Sequence, residues 1–188
     1  MARVLALSGS LRAGSHSTSL LRHAAARAGD ELELILYDGL RDIPPFDEDS
    51  EDDEALTAPV ERLKRALRDA DGVLIATPEY NGSVSGVLKN ALDWVSRPFD
   101  TNPLRGKPVA VISASTGSFG GVWAQNDLRR ILGTIGARVL DESVAVPNVH
   151  TVVDGVGEIA HPGTSDGLSE LLQALHEELA EERQKATA

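Results

Sequence analysis

Short apolar runs alternate along this chain with stretches of helical spacing, and the pattern predicts five strand–helix pairs. Arg3 to Leu7 reads as a first strand. After a polar loop from Ser8 to Ser19, Leu20, Leu21, Ala24, Ala25 and Ala28 recur at helical intervals. Glu31 to Tyr37 alternates acidic and apolar residues before an apolar end, as a strand nearer a sheet edge would, and Asp38-Gly39 closes it as a turn. Ile43-Pro44-Pro45-Phe46 is a rigid loop, and Leu56, Val60, Leu63 and Leu67 mark a second helix. Gly72 to Thr77 is apolar and β-branched, which suits a strand buried on both faces. From Pro78 the chain turns polar and glycine-punctuated, then helical at Leu88, Ala91, Leu92 and Val95, with Ser83 or Ser85 available as N-cap. Lys107 to Ser113 is a fourth strand, and Leu128, Ile131, Leu132 and Ile135 mark its helix. Ala137 to Leu140 and Val144 to Pro147 read as one broken fifth strand, before a last helix carrying Leu168, Leu171, Leu172, Leu175 and Leu179.

This alternation predicts an α/β fold over a single domain, residues 1–188: a doubly wound, five-stranded parallel sheet with helices on both faces. Five strands suit the flavodoxin-like order 2-1-3-4-5. The loops after strands one, three and four then converge near the switch point of the sheet, where open α/β folds bind ligands.

Composition narrows the function classes. A net charge of −11 and a pI near 4.8 argue against nucleic acid and anionic membrane as partners. There is no cysteine, so thiol nucleophiles, disulfides and thiolate metal sites are excluded. The histidines at 16, 23, 150, 161 and 176 lack metal-ligand spacing. The N-terminal apolar run is too short for a signal peptide and no run reaches membrane-spanning length, so a cytoplasmic protein is expected. Seven acids in eight residues, Asp47 to Glu54, read as a solvated loop favouring the following helix N-terminus.

The three converging loops hold the unusual chemistry. The first offers Ser10, Ser15, Ser17 and Thr18 hydroxyls, Arg12 and a helix N-terminus, a donor set that suits a phosphate dianion. Gly9 and Gly14 have the outer spacing of a P-loop, but Ser15-His16 replaces the lysine pair, and Gly9-Ser10-Leu11 lacks the middle glycine of a dinucleotide fingerprint. Asp38 sits where a ribose-binding acid would, although Asp-Gly is also plain turn chemistry. The other two loops offer Tyr80, Asn81, Ser115, Thr116 and glycines that let backbone approach a flat ligand. A phosphate at one end and a planar ring at the other describes FMN.

Gly9-Ser10-Leu11-Arg12-Ala13-Gly14-Ser15, with Pro78-Glu79-Tyr80-Asn81 through Leu88-Lys89-Asn90-Ala91-Leu92-Asp93-Trp94, resembles the NADPH-dependent FMN reductase family, which includes quinone, azo and chromate reductases. The resemblance runs from the first strand to the fourth helix. It implies that Ser10, Arg12, Ser15 and Ser17 hold the FMN phosphate, that Pro78, Glu79, Tyr80 and Asn81 contact the ring and ribityl chain, and that Ser115, Thr116 and Gly117 complete the site. Ser17 replaces a common asparagine and Ser85 a usual proline.

The implied activity is hydride transfer from NAD(P)H through FMN to a small-molecule acceptor: a quinone, azo compound, metal oxyanion or free flavin, with ping-pong kinetics. NADPH over NADH follows from the resemblance alone, since no basic pocket for a 2′-phosphate is legible in the sequence. The resemblance also implies a homodimer or homotetramer with Trp94 near the partner, though Trp94 equally suits the core. The competing function is a non-enzymatic flavodoxin-type electron carrier, whose acidic surface this chain shares. A response-regulator receiver needs paired acids after strand one, where Ser8-Gly9 stands.

Overall fold

Alternate residues of a strand point to opposite faces, so apolar side chains at every position require cover on both sides. The computed structural model, which describes residues 1–154 and 158–187, provides that cover. Strands β1 (Ala2–Ser8), β2 (Leu32–Tyr37), β3 (Gly72–Pro78), β4 (Pro108–Ala114) and β5 (Arg138–Val146) form one parallel sheet in the order β2-β1-β3-β4-β5. The helices are α1 (His16–Arg27), α2 (Glu54–Asp69), α3 (Gly86–Val95), α4 (Val122–Ile135), α5 (Val149–Val152) and α6 (Pro162–Thr187). Val4, Ala6, Leu74, Ala110 and Ile112 pack against Leu20, Leu21 and Ala24 of α1 and Leu171 and Leu175 of α6. Their neighbours Leu5, Leu7, Val73, Ile75, Val109 and Val111 face α2, α3 and α4 through Leu63, Leu67, Leu88, Leu92, Leu128 and Leu132. Each fully buried leucine contributes about 1.5–3 kcal/mol.

Three local outcomes differ from the sequence pattern. First, α1 begins before the polar loop is finished. Ser15 is its N-cap, its Oγ accepting from the Thr18 N–H at 3.1 Å, so Ser17, Thr18 and Ser19 occupy the first turn. Second, β5 is one continuous strand with a bulge. Val109 pairs with Val139 and Val111 with Ser143, so three β5 residues oppose Ala110 alone, and the exposed Asp141 and Glu142 are that bulge. Third, the short α5 carries no periodic signal of its own and follows Asn148 in the left-handed region at φ 46°.

Ser85, not Ser83, caps α3, and the acidic run ends in Asp53, whose Oδ1 accepts from the N–H groups of Ala55 and Leu56 at 3.0 and 3.1 Å. Trp94 lies in the core at 1% exposure, one of the two places the sequence allowed for it. Its Nε1–H donates to the Pro44 carbonyl at 2.8 Å and its ring meets Phe46 edge-on at 5.0 Å. Asn90 donates to the same carbonyl at 2.8 Å and accepts from the Phe46 N–H at 2.8 Å. The long second motif thus clamps the proline loop with its helical half.

Candidate functional site

The loop after β1 leaves the sheet at Gly9, where the backbone is pressed against the side chains of Pro78 and Leu88. A Cβ there would stand 3.1 Å from Pro78 Cδ and 3.2 Å from Leu88 Cδ2. The Gly9 N–H donates to the Ala76 carbonyl at 2.8 Å, and its own carbonyl accepts from Ser85 Oγ at 2.5 Å. Ser85 therefore caps α3 and fixes the first loop together. Ser85→Ala leaves the buried Gly9 carbonyl without that donor and removes the cap, for an expected loss of about 1–3 kcal/mol. Chemical unfolding checks it; an unchanged midpoint would show that the loop is held by other contacts.

From Gly9 the loop runs through Ser10, whose Oγ accepts from the Arg12 N–H at 3.4 Å, to the capped start of α1. Arg12 is exposed, and its guanidinium donates to the Gly14 carbonyl at 3.4 Å. A cation beside the positive end of a helix is unfavourable unless an anion joins them. His16, in the same turn, is held below the ordinary imidazole range by burial first and then by Arg12 and His150. It therefore adds no lasting positive charge near neutral pH and stays available as a hydrogen-bonding ring.

The loop after β3 presents Pro78, Glu79 and Tyr80, then reverses tightly. Tyr80 and Ser83 exchange backbone hydrogen bonds at 3.0 and 3.2 Å around Asn81 and Gly82, at φ 53° and 76°. Asn-Gly is the pair that such a two-residue turn favours, so Asn81 serves the turn's backbone. Glu79 reaches across to α4, its Oε2 accepting from the N–H groups of Trp123 and Ala124 at 3.1 and 3.2 Å. The N-cap position of α4 is Gly121, which has no side chain to offer, so Glu79 supplies the missing cap. Ser83 Oγ adds a 2.7 Å bond to Asp127, which with Arg130 keeps that carboxyl below its usual range.

The loop after β4 is folded on itself and on the end of β5. Ser115 Oγ accepts from the Gly117 N–H at 3.1 Å, and its carbonyl accepts from the Val149 N–H at 3.0 Å. At Gly120, φ is 64° and a Cβ would come within 2.9 Å of Ala145 C and Val146 N, so only glycine fits.

These loops enclose a cleft of about 170 Å³ at the carboxyl edge of the sheet. Ser10, Arg12, Ser15 and Ser17 line one end, and Pro78, Glu79, Tyr80, Ser115 and Thr116 the rest. Thr18, Asn81 and Gly117 do not line it: the Thr18 hydroxyl turns to Ser8 Oγ at 2.8 Å, Asn81 is spent on the turn, and Gly117 sits behind Ser115. His16, Ala114 and Val149 line it as well. His16 follows the N-cap serine and was legible as such. Val149 had no sequence signal, because its place depends on how far β5 advances past β4.

Chemically, one end offers hydroxyls, a helix N-terminus and a guanidinium, which together fit a phosphate monoester. The other offers close backbone and one half-exposed aromatic, Tyr80 at 49%, which fit a flat heterocycle. No group of three or more His, Cys, Asp or Glu able to hold a metal ion occurs among the described residues.

The family model for NADPH-dependent FMN reductase matches residues 2–151. The chain is similar to a quinone reductase of Escherichia coli (strain K12), 41% identical over 177 residues that cover 93% of this chain and 94% of that one. An NAD(P)H-dependent FMN reductase of Pseudomonas aeruginosa is 39% identical, with 92% of each chain covered. Among solved structures, the flavoenzyme NAD(P)H:(acceptor) oxidoreductase FerB from Paracoccus denitrificans superposes with a TM-score of 0.84 at 30% identity, covering 96% of this chain and 98% of that one.

Proposed function

The chain belongs to the NADPH-dependent FMN reductase family, and from that premise we propose that it is an oxidoreductase whose cleft binds FMN and serves a nicotinamide donor and a small-molecule acceptor in turn. Bound FMN supplies the two-electron chemistry that no side chain here offers. The carrying observation is the convergence of Ser10, Arg12, Ser15 and Ser17 with Pro78, Glu79, Tyr80, Ser115 and Thr116 around one cleft.

In this reading the α1 N-terminus, the serines and Arg12 fix the phosphate. The β3 and β4 loops fix the ring, and Glu79 keeps those two loops in register by capping α4. The chain's own residues then act by placement, with no general base or metal required. Tyr80 stands at the mouth, where donor and acceptor share one entrance. A shared entrance excludes both at once and gives ping-pong kinetics. The acceptors are quinones, azo compounds, metal oxyanions or free flavin; the relatives' names favour quinones and flavin.

The test is an anaerobic titration of FMN-loaded protein with NADPH and with NADH, then reoxidation with a panel of acceptors. Flavin absorbance is expected to bleach within the mixing time and return on adding quinone. Protein that takes up no FMN would overturn the reading. Protein that binds FMN but bleaches only over hours would mark a flavodoxin-type electron carrier instead.

A further inference from the structure

Beside the cleft, over the carboxyl ends of β1 and β2, lies a groove of about 390 Å³ whose lining carries three arginines, Arg12, Arg22 and Arg41, against one carboxylate, Asp38. In a chain of net charge −11 this reverses the prevailing sign. Most arginines elsewhere are paired with carboxylates, among them Arg62 with Asp42, Arg97 with Glu48 and Glu51, Arg138 with Glu178 and Glu182, and Arg183 with Asp71, while Arg27, Arg65 and Arg105 stand singly and not in a cluster. Among the described residues the three groove arginines have no such partner within 4.0 Å. Arg41 instead donates one N–H to the Leu11 carbonyl at 2.7 Å, which fixes its guanidinium beside the phosphate loop and leaves its other donors free. Arg22 projects from α1 and makes no hydrogen bond to protein among the described residues.

The groove is not isolated. An adjoining apolar channel of about 440 Å³ shares Ser10, Leu11, Arg12 and Arg41 with it and extends to Tyr80 and Val87. A long ligand with its flat end at Tyr80 therefore has its other end among the arginines.

We propose that this groove seats the adenosine half of the nicotinamide donor, with Arg22 and Arg41 taking the 2′-phosphate that distinguishes NADPH from NADH; the proposal rests on the reductase reading above. The 2′-phosphate is a second anion on the other side of the phosphate loop, and planar guanidinium forks match phosphate oxygens in pairs. Arg41 is already oriented, so less side-chain freedom is lost when it engages. Asp38 works in the opposite direction: it repels a 2′-phosphate and suits a free ribose hydroxyl. The two arginines outweigh it, and the donor preference is set by that balance.

The experiment is a calorimetric titration of FMN-loaded protein with adenosine 2′,5′-bisphosphate, with AMP and with inorganic phosphate. The bisphosphate is expected to bind at least about tenfold more tightly than AMP. Arg22→Ala and Arg41→Ala should each shrink that advantage about tenfold, Arg22→Lys should retain most of it, and Asp38→Asn should enlarge it. The kcat/KM ratio of NADPH to NADH should move in the same directions. Equal affinities for bisphosphate and AMP, or an advantage untouched by both alanine variants, would overturn the assignment. So would inorganic phosphate binding as tightly as the bisphosphate, which would make the groove a site for a free anion. A chain that takes up no FMN defeats the reductase reading, while the same titration on the apoprotein still decides the groove.

Discussion

Alanine at position 12 is expected to weaken FMN binding about tenfold to a hundredfold while leaving riboflavin binding nearly unchanged. Arg12 lines the cleft beside the α1 N-terminus, and its side-chain hydrogen bond to the Gly14 carbonyl is long at 3.4 Å. It can therefore turn to a phosphate without giving up a strong contact. A hydrogen bond to a charged group is worth about 1.5–3 kcal/mol, and each 1.4 kcal/mol is about tenfold in affinity. Arg12 is exposed, so solvent screening pulls the effect toward the lower end. Flavin fluorescence titrations of wild type and variant with both flavins decide the matter. Equal losses for FMN and riboflavin would mean that Arg12 holds the loop and not the phosphate.

The second large effect is on stability. Trp94→Ala is expected to cost about 3–5 kcal/mol, the range for emptying a buried aromatic site. Trp94 is 1% exposed, stacks edge-on with Phe46 at 5.0 Å, and donates to the Pro44 carbonyl. Trp94→Phe should cost much less, because the ring contact partly survives and Asn90 still donates to that carbonyl at 2.8 Å. Urea unfolding midpoints measure both. A loss below about 1 kcal/mol for the alanine variant would contradict the packed position. Unchanged stability with a changed mass of the assembly in solution would place Trp94 at an interface.

The helical half of the long motif therefore does structural work. Asn90 and Trp94 bind the Ile43–Phe46 loop from α3, while Lys89 pairs with Asp93 one turn on at 2.6 Å. The loop half faces the cleft, though not through every residue. Pro78, Glu79 and Tyr80 line it, whereas Asn81 supplies the left-handed backbone of the turn. Glu79 has a role that no linear motif shows, because the N–H groups it caps lie more than forty residues away on α4.

Much was settled by hydrophobic spacing. Continuous burial on β1, β3 and β4 follows from runs such as Val4 to Leu7 and Val73 to Ala76, and covering both faces leaves few topologies. That topology brings three loops to one edge, so Ser10, Arg12, Ser15, Tyr80 and Ser115 were legible together as a candidate site. Other features depended on how elements meet in space. The Thr18 hydroxyl points to Ser8, because Ser15 starts α1 a turn earlier than the apolar spacing begins. Val149 reaches the cleft because the β5 bulge and the left-handed Asn148 set where the chain turns back. Arg22 and Arg41 share a groove although one lies on α1 and the other after β2, and only the packing of β1 beside β2 makes them neighbours. The sequence determined which residues are buried and which loops carry polar chemistry, because those follow from periods of two and 3.6. The tertiary structure decided which polar groups face the cleft, which cap a distant helix and where unpaired positive charge collects, because those depend on distances between residues far apart in the chain.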